Sequence, residues 1–268
     1  MTIRANIPAW LELIRASIRW HYIYRFNVFA GLLMTGLTIY LLTVVWRAAY
    51  AGQTEVDGVG IDQLLVYLTI ANLQLYILRP EVSGDIQARI REGQIGFDLS
   101  RPVGYPSQLV AAAAGDMIGV MPMVLVALPI ALVVGELRLP DSVGVGIAYA
   151  GSFLLAWLVA VQLNMLIGLV SFWTLEMTGF EMMYRLIGNF ATGALIPLWF
   201  MPELLRAVVQ VLPFQVIAFI PVSIYVGEPA TGSLWTALGL QLFWAGALVL
   251  VIRWIWRRAL RHTVIQGG

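Results

Sequence analysis

The chain has 268 residues, of which 60% are hydrophobic and only 12% charged, with a formal net charge of +1 and a mean hydropathy of +0.84. Soluble domains carry about 25% charged residues because their surface has to be solvated. The composition excludes a soluble globular protein, a disordered tail and a nucleic-acid binder, and it predicts an all-α polytopic membrane protein.

Two absences narrow the chemistry. With no cysteine, disulfides, thiolate metal sites and cysteine nucleophiles are excluded. There is also no lysine, all sixteen cationic side chains being arginine. A GxxxxGK[ST] phosphate loop needs its lysine on the phosphates, and Schiff-base chemistry needs an amine, so the chain can build neither. Codon bias in a GC-rich genome accounts for the missing lysine without any functional cause. The chemical exclusion holds in either case.

Along the chain, residues 9–24 come first. At 100° per residue Glu12, Arg15 and Arg19 form one narrow stripe, while Trp10, Leu13, Ile14 and Ile18 occupy the rest. Pro8 stands at the expected start, where a missing N–H costs nothing. This pattern predicts an interfacial amphipathic helix over 9–24, anchored at headgroup depth by Trp10, Trp20, Tyr22 and Tyr24. It either leads the chain into the membrane or also touches a cytoplasmic partner.

A span needs about 20 largely apolar residues. Seven uncharged runs compete for that role: Phe26–Trp46, Gln63–Leu78, Met117–Gly135, Ser142–Leu175, Leu186–Pro202, Ala207–Gly227 and Pro229–Ile252. Ala49-Tyr50-Ala51 after the first run looks like a leader cleavage site. The run itself is longer than the roughly 7–15 apolar residues of a leader, so cleavage is not expected. Pro213 and Pro221 interrupt the sixth run, and each removes a helix-interior hydrogen bond. Arginine placement decides the count. Six spans at about 26–46, 61–79, 108–134, 145–172, 182–201 and 230–254, with both termini cytoplasmic, put thirteen of the sixteen arginines inside. Only Arg47, Arg138 and Arg206 then lie outside. A seventh crossing would send Arg253, Arg257, Arg258 and Arg261 to the outer face. Residues 203–227 are therefore expected as a re-entrant or surface-lying hairpin on the outer side.

Between the second and third spans, Val82, Ile86 and Ile90 recur every four residues. Glu81 and Asp85 occupy the first turn, Arg89 and Arg91 the last, and Gly93 supplies a stop. Each charge complements the helix macrodipole, and Asp85 with Arg89 is a favourable i,i+4 pair. The prediction is a short, rigid, charged helix over 81–93 that projects from the membrane. Its near-neutral charge argues against positive-inside filler, because acidic residues contribute little to topology.

The stretch Ile90-Arg-Glu-Gly-Gln-Ile-Gly-Phe-Asp-Leu-Ser-Arg-Pro-Val103 resembles the first cytoplasmic loop of type-2 ATP-binding-cassette (ABC) permeases. There an "(I)REG…(L/R)P(V)" stretch follows the second span. The layout is similar too: an interfacial helix, six spans, and a proline-broken hairpin before the last. The likeness covers most of the chain in architecture but only residues 90–103 in motif. It implies a single permease domain over 1–268, half of the membrane part of an ATP-driven transporter that is usually an exporter. Its partners would be a second permease, identical or homologous, and two copies of a separate ABC ATPase, which carries the ATP and magnesium. No cofactor is expected on this chain. The likeness also makes 81–93 a coupling helix, with Glu81, Asp85, Arg89, Arg91, Glu92 and Arg101 as the ATPase contact.

Ionisable groups inside spans default to functional hypotheses. Asp116 lies on the small-residue stripe Ala111, Gly115 and Gly119, which admits a close helix. It is either part of a gate or interhelical contact, or a residue near the cytoplasmic headgroups. Glu181 and Arg185 form an i,i+4 pair. Gln74, Gln162, Asn164 and Gln241 read as interhelical hydrogen-bonding groups. In the family resembled, the second and fifth spans line the translocation path, which brings Asn72, Asn189 and Thr192 forward beside Asp116 as candidate path or gate residues. The competing functions fare worse. An ion-coupled secondary transporter calls for mid-membrane carboxylates or repeated halves with broken helices, and neither is evident. An intramembrane enzyme would have only His21 and His262, both at membrane margins, for histidine chemistry or a metal.

Overall fold

Alternation between helices whose apolar surface faces outward and helices wrapped by their neighbours organises the chain. The computed structural model describes residues 3–134, 137–174, 176–227 and 232–261. Its long helices are α1 (Ile3–Ile23), α2 (Arg25–Tyr50), α3 (Ile61–Ile77), α6 (Tyr105–Val134), α7 (Val143–Leu169) and α11 (Leu234–Ala259). The shorter ones are α4 (Val82–Arg91), α5 (Ile95–Ser100), α8 (Thr178–Ala191), α9 (Glu203–Val211) and α10 (Phe219–Tyr225). The start of the expected last span at 230–231, and His262, lie outside the described residues.

On α2 the large side chains of Phe29, Leu33, Leu37 and Leu41 are exposed, as suits a helix that faces lipid. By contrast, α3 is buried on every side from Leu64 to Ala71, as expected of a helix that is apolar all round. The central helix α7 packs against α4, α10 and α11. At about 1.5 Å per residue its 27 residues exceed the roughly 30 Å hydrocarbon core. Five helices are long and apolar enough to cross a membrane, counting α3 continued into α4 (Ile61–Arg91) as one. The bent pair formed by α9 and the segment Pro213–Tyr225 adds a sixth candidate if taken as one span.

Contacts sort the two ends of the bundle. At one end Tyr105 and Phe172 both pack on Trp256, at 5.5 and 5.7 Å between ring centroids. At the other, Arg138 lies 3.2 Å from Asp62, and the Tyr225 hydroxyl donates to the Arg138 carbonyl. A two-stranded antiparallel hairpin, β1 (Glu55–Val56) with β2 (Val59–Gly60), joins α2 to α3. Its Asp57-Gly58 turn has φ of 51° and 80°, the positive values that an Asp-Gly hairpin loop adopts.

Two expectations are corrected. Helix α1 begins at Ile3, so Pro8 lies within it and not at its start. The expected fifth span, 182–201, is not one helix. It consists of α8, a turn, and a single 3-10 turn at Leu198–Phe200. Gly193 causes the break: its φ is +80°, and a Cβ there would stand 2.8 Å from Leu198 Cδ1 and 3.2 Å from the Tyr67 hydroxyl. With 14 residues α8 covers about 21 Å, short of the hydrocarbon core. Residues 203–227, expected as a re-entrant or surface-lying hairpin, form a bent helical pair whose halves differ in burial. Leu204, Val208 and Val211 of α9 are exposed, whereas α10 is buried against α3 and α7. Pro213 and Pro221 fall in the first turns of a 3-10 segment and of α10, where proline is tolerated, and the two halves meet at 74°.

A buried break leaves carbonyls that need donors. Gln241 Nε2 donates to Val216 O at 3.0 Å and to Ser152 O at 3.1 Å, while Gln74 Nε2 donates to Ile217 O. Replacing Gln241 by Leu strands the Val216 carbonyl, and the expected loss is about 1–3 kcal/mol of stability. A lower thermal unfolding midpoint in detergent checks this; an unchanged midpoint would mean that the carbonyl is satisfied otherwise.

Candidate functional site

The charged segment after α3 builds a compact platform. Helix α4 ends where Gly93 adopts a φ of +69°, and its apolar side, Val82 and Ile86 with Ser83, is buried against α7. That contact is close because α7 carries a glycine there. A Cβ at Gly168 would stand 2.6 Å from Ile86 Cδ1 and 2.8 Å from Ser83 Cα. One turn earlier on α7, Asn164 Oδ1 accepts the Ser83 backbone N–H at 2.7 Å. A side chain of a long apolar helix thus satisfies one of the orphan donors at the start of α4.

The expected Asp85–Arg89 pair is not made. Arg89 reaches forward, donating to Gln94 Oε1 at 2.6 Å and lying 3.6 Å from the buried carboxylate of Asp98, which Arg101 approaches to 3.2 Å. Two guanidinium groups offset the burial of one carboxylate, a better arrangement than an exposed surface pair. Gln108 completes it from α6 by donating to the carbonyls of Asp98 and Val103 at 2.8 and 2.7 Å.

Two cavities flank this platform. The first, about 630 Å³, lies among α2, α3, α4, α7 and α8. It brings together three of the candidate path residues, Asn72, Asn189 and Thr192, and adds Thr38, Asn164 and Tyr184. Asn72 Nδ2 donates to Leu68 O at 2.8 Å and to Ala194 O at 3.1 Å, which ties α3 to the turn after α8. The second cavity, about 620 Å³, lies among α1, α2, α4, α5 and α6 and holds the fourth candidate, Asp116. Asp116 faces α1, its carboxylate 3.7 Å from His21 Nδ1. The small-residue stripe does receive a helix, and that helix is α1: a Cβ at Gly115 would stand 2.5 Å from Ile14 O.

The six residues assigned to the ATPase contact divide. Arg91 and Glu92 are exposed and line neither cavity. Arg89 and Arg101 are joined through Asp98 on the wall of the second cavity, while Glu81 and Asp85 line both cavities. Glu181 and Arg185 form their pair at 3.6 Å. Sequence reasoning missed Asp98 as the hub, because a six-residue helix is too short to show a periodicity. It also missed Gly168 and the role of Asn164 as the seat of α4, for which pattern within one helix carries no signal. Among the described residues no group of acidic or histidine side chains is arranged to hold a metal ion.

A bundle of long apolar helices with a charged platform at one end and two cavities beside it defines a polytopic membrane protein built around a helix-docking site. The chain belongs to the ABC-2 family: the family model described as ABC-2 family transporter protein matches residues 8–267. No curated protein matches it. It is accordingly an ABC permease, the multi-pass membrane component of a transporter, and the family implies an ABC ATPase as partner, normally a separate subunit.

Gly168→Ala is expected to destabilise the protein by about 1–3 kcal/mol, through overpacking against Ser83 and Ile86. Gly151→Ala, on the same helix, adds a methyl group that meets nothing within 4 Å, and should be neutral or stabilising. Thermal unfolding of the two variants side by side checks the difference.

Proposed function

We propose that this chain is the permease subunit of an ATP-driven exporter, working as a dimer of identical or homologous permeases with two separate ATPase subunits that hold ATP and magnesium. The observation that carries this reading is the seating of α4. It is locked on α7 through Ser83, Ile86, Asn164 and Gly168, yet Ser83, Glu81 and Asp85 also line the first cavity. A push on α4 by a partner therefore alters the wall of the cavity that contains Asn72, Asn189 and Thr192. In this reading α4 is the coupling helix. Arg91 and Glu92 form its outward tip, the Arg89–Asp98–Arg101 cluster stiffens its base, and the first cavity is one half of the translocation path.

The same reading places the protein in the inner membrane with both termini cytoplasmic. The fifth crossing is α8 completed by the segment through Phe200, α9 lies flat at the outer surface with Leu204, Val208 and Val211 in lipid, and α10 re-enters. The arginine distribution supports it, since this topology puts thirteen of the sixteen arginines on the cytoplasmic side.

Two measurements test this. An ABC ATPase should co-purify with the wild-type chain in mild detergent, and the double variant Arg91→Glu, Glu92→Arg, which spares the Arg89–Asp98–Arg101 cluster, should insert normally but retain at least tenfold less of it. Undiminished retention removes α4 from the contact. Single cysteines, introduced into a chain that has none, should react with a membrane-impermeant maleimide from outside at Asp57 or Leu204. A cysteine at Gly96 should react only after the membrane is opened; the reverse pattern inverts the topology.

A further inference from the structure

The second cavity joins two chemistries. Toward α1, α2 and α6 its wall is mixed, with Leu13, Val28 and Val120 beside Ser17, His21, Asn27 and Asp116. Toward the α3–α4 turn it is charged. Two of its arginines, Arg89 and Arg101, are already engaged by Asp98. Asp116 stands 3.7 Å from His21, which leaves Arg79, Glu81 and Asp85; among the described residues these exposed side chains make neither an ion pair nor a hydrogen bond, and all three line this cavity as well as the first. One cation and two carboxylates thus face a common space without closing on each other. In the same wall Tyr105 is buried, and among the described residues its hydroxyl has no hydrogen-bond partner. Buried hydroxyls are normally paired.

A ligand that answers all of these carries both signs of charge at one end and an apolar body at the other. A purely anionic head would set its charge against Glu81 and Asp85, and a purely cationic one would leave Arg79 opposed. Two carboxylates accept hydrogen bonds and donate none, so they favour a primary ammonium with three N–H groups over a quaternary one. Arginine matches a phosphate, and a tyrosine hydroxyl can donate to one. The depth is right for a headgroup, since Trp20 lines the cavity and packs on Tyr24 at 4.7 Å, and such amphipathic rings sit at the membrane–water interface. The volume, about 620 Å³, falls within the range of about 300–1,000 Å³ usual for ligand sites.

We propose that the second cavity binds the headgroup of an aminophospholipid, its phosphate against Arg79 and its primary ammonium against Glu81 and Asp85, with the acyl chains leaving along Leu13, Val28 and Val120. The α1–α6 contact at Gly115 and Asp116 forms the back of this site, so the bound lipid fastens the interfacial helix to the base of α4.

Native mass spectrometry of the full chain, extracted from nanodiscs containing equal amounts of phosphatidylethanolamine, phosphatidylcholine and phosphatidylglycerol, tests it. The expected result is one phosphatidylethanolamine retained per chain, at least tenfold over either competitor. Arg79→Ala and the pair Glu81→Gln, Asp85→Asn should each reduce that retention tenfold or more. Equal retention of the three lipids, a preference for phosphatidylglycerol or phosphatidylcholine, or retention of phosphatidylethanolamine untouched by both variants overturns the proposal. The lipid preference of the wild-type chain is informative even if a variant fails to fold. Because the readout involves neither ATP nor a partner subunit, its failure leaves the permease reading standing.

Discussion

Carbonyl groups inside an apolar environment must find donors, and between Ala191 and Phe219 this chain is broken into short helical pieces whose joints cannot satisfy their own. Water is absent from a bilayer core, so each unpaired group there costs several kcal/mol. The surrounding helices answer from all sides. Tyr67 donates to Gly193 O at 3.0 Å, Asn72 to Ala194 O at 3.1 Å, Trp46 to Leu195 O at 3.4 Å, and Gln241 to Val216 O. Arg206 closes the turn before α9 by donating to Trp199 O and Met201 O at 2.7 and 3.0 Å. These donors come from α2, α3, α9 and α11, so the broken segment is what knits the bundle together at its centre. It also explains why α3 and α10 are the most deeply buried helices: they enclose irregular backbone that has to be kept from lipid.

The first cavity exists because of this arrangement. A continuous fifth helix would pack its side chains directly against α3, whereas the turn after α8 leaves room that Asn72 and Thr192 border. The other wall is set by α4, seated on α7 through a glycine and an asparagine. One polar residue of α7, Asn164, therefore both holds the start of α4 and faces the cavity. In the function proposed above, a partner's motion would have to reach a site within the membrane, and a docked helix that itself borders the cavity would make that link short.

The interfacial helix enters the same framework. Its polar stripe, with Arg15 donating to Glu12 at 2.7 Å, faces away, while its backbone comes into contact with α6 at Gly115. A helix that only led the chain into the membrane would have no use for so close an approach. Here it forms one side of a mixed-charge cavity whose other side is α4.

Much of the class was legible in the residues alone. The scarcity of charge dictates a membrane protein, the spacing of Val82, Ile86 and Ile90 with Gly93 after them dictates a short capped helix, and the 90–103 stretch with its layout points to the family that residues 8–267 match. Each of these is a local or compositional property, set by the hydrophobic effect and by backbone periodicity over a few turns. The fifth span was not legible, because apolar runs look alike whether they form a straight helix or a turn with its carbonyls capped by distant side chains. Nor was the regrouping of charges around Asp98, since Arg89 chooses between Asp85 and Asp98 according to which carboxylate the fold buries nearby. Sequence by itself therefore determined the solvent this protein lives in and the elements it offers. Only the tertiary structure decided which helix breaks, which glycine receives α4 and which charges remain unpaired, because those outcomes depend on donors and volumes contributed by residues far apart in the chain.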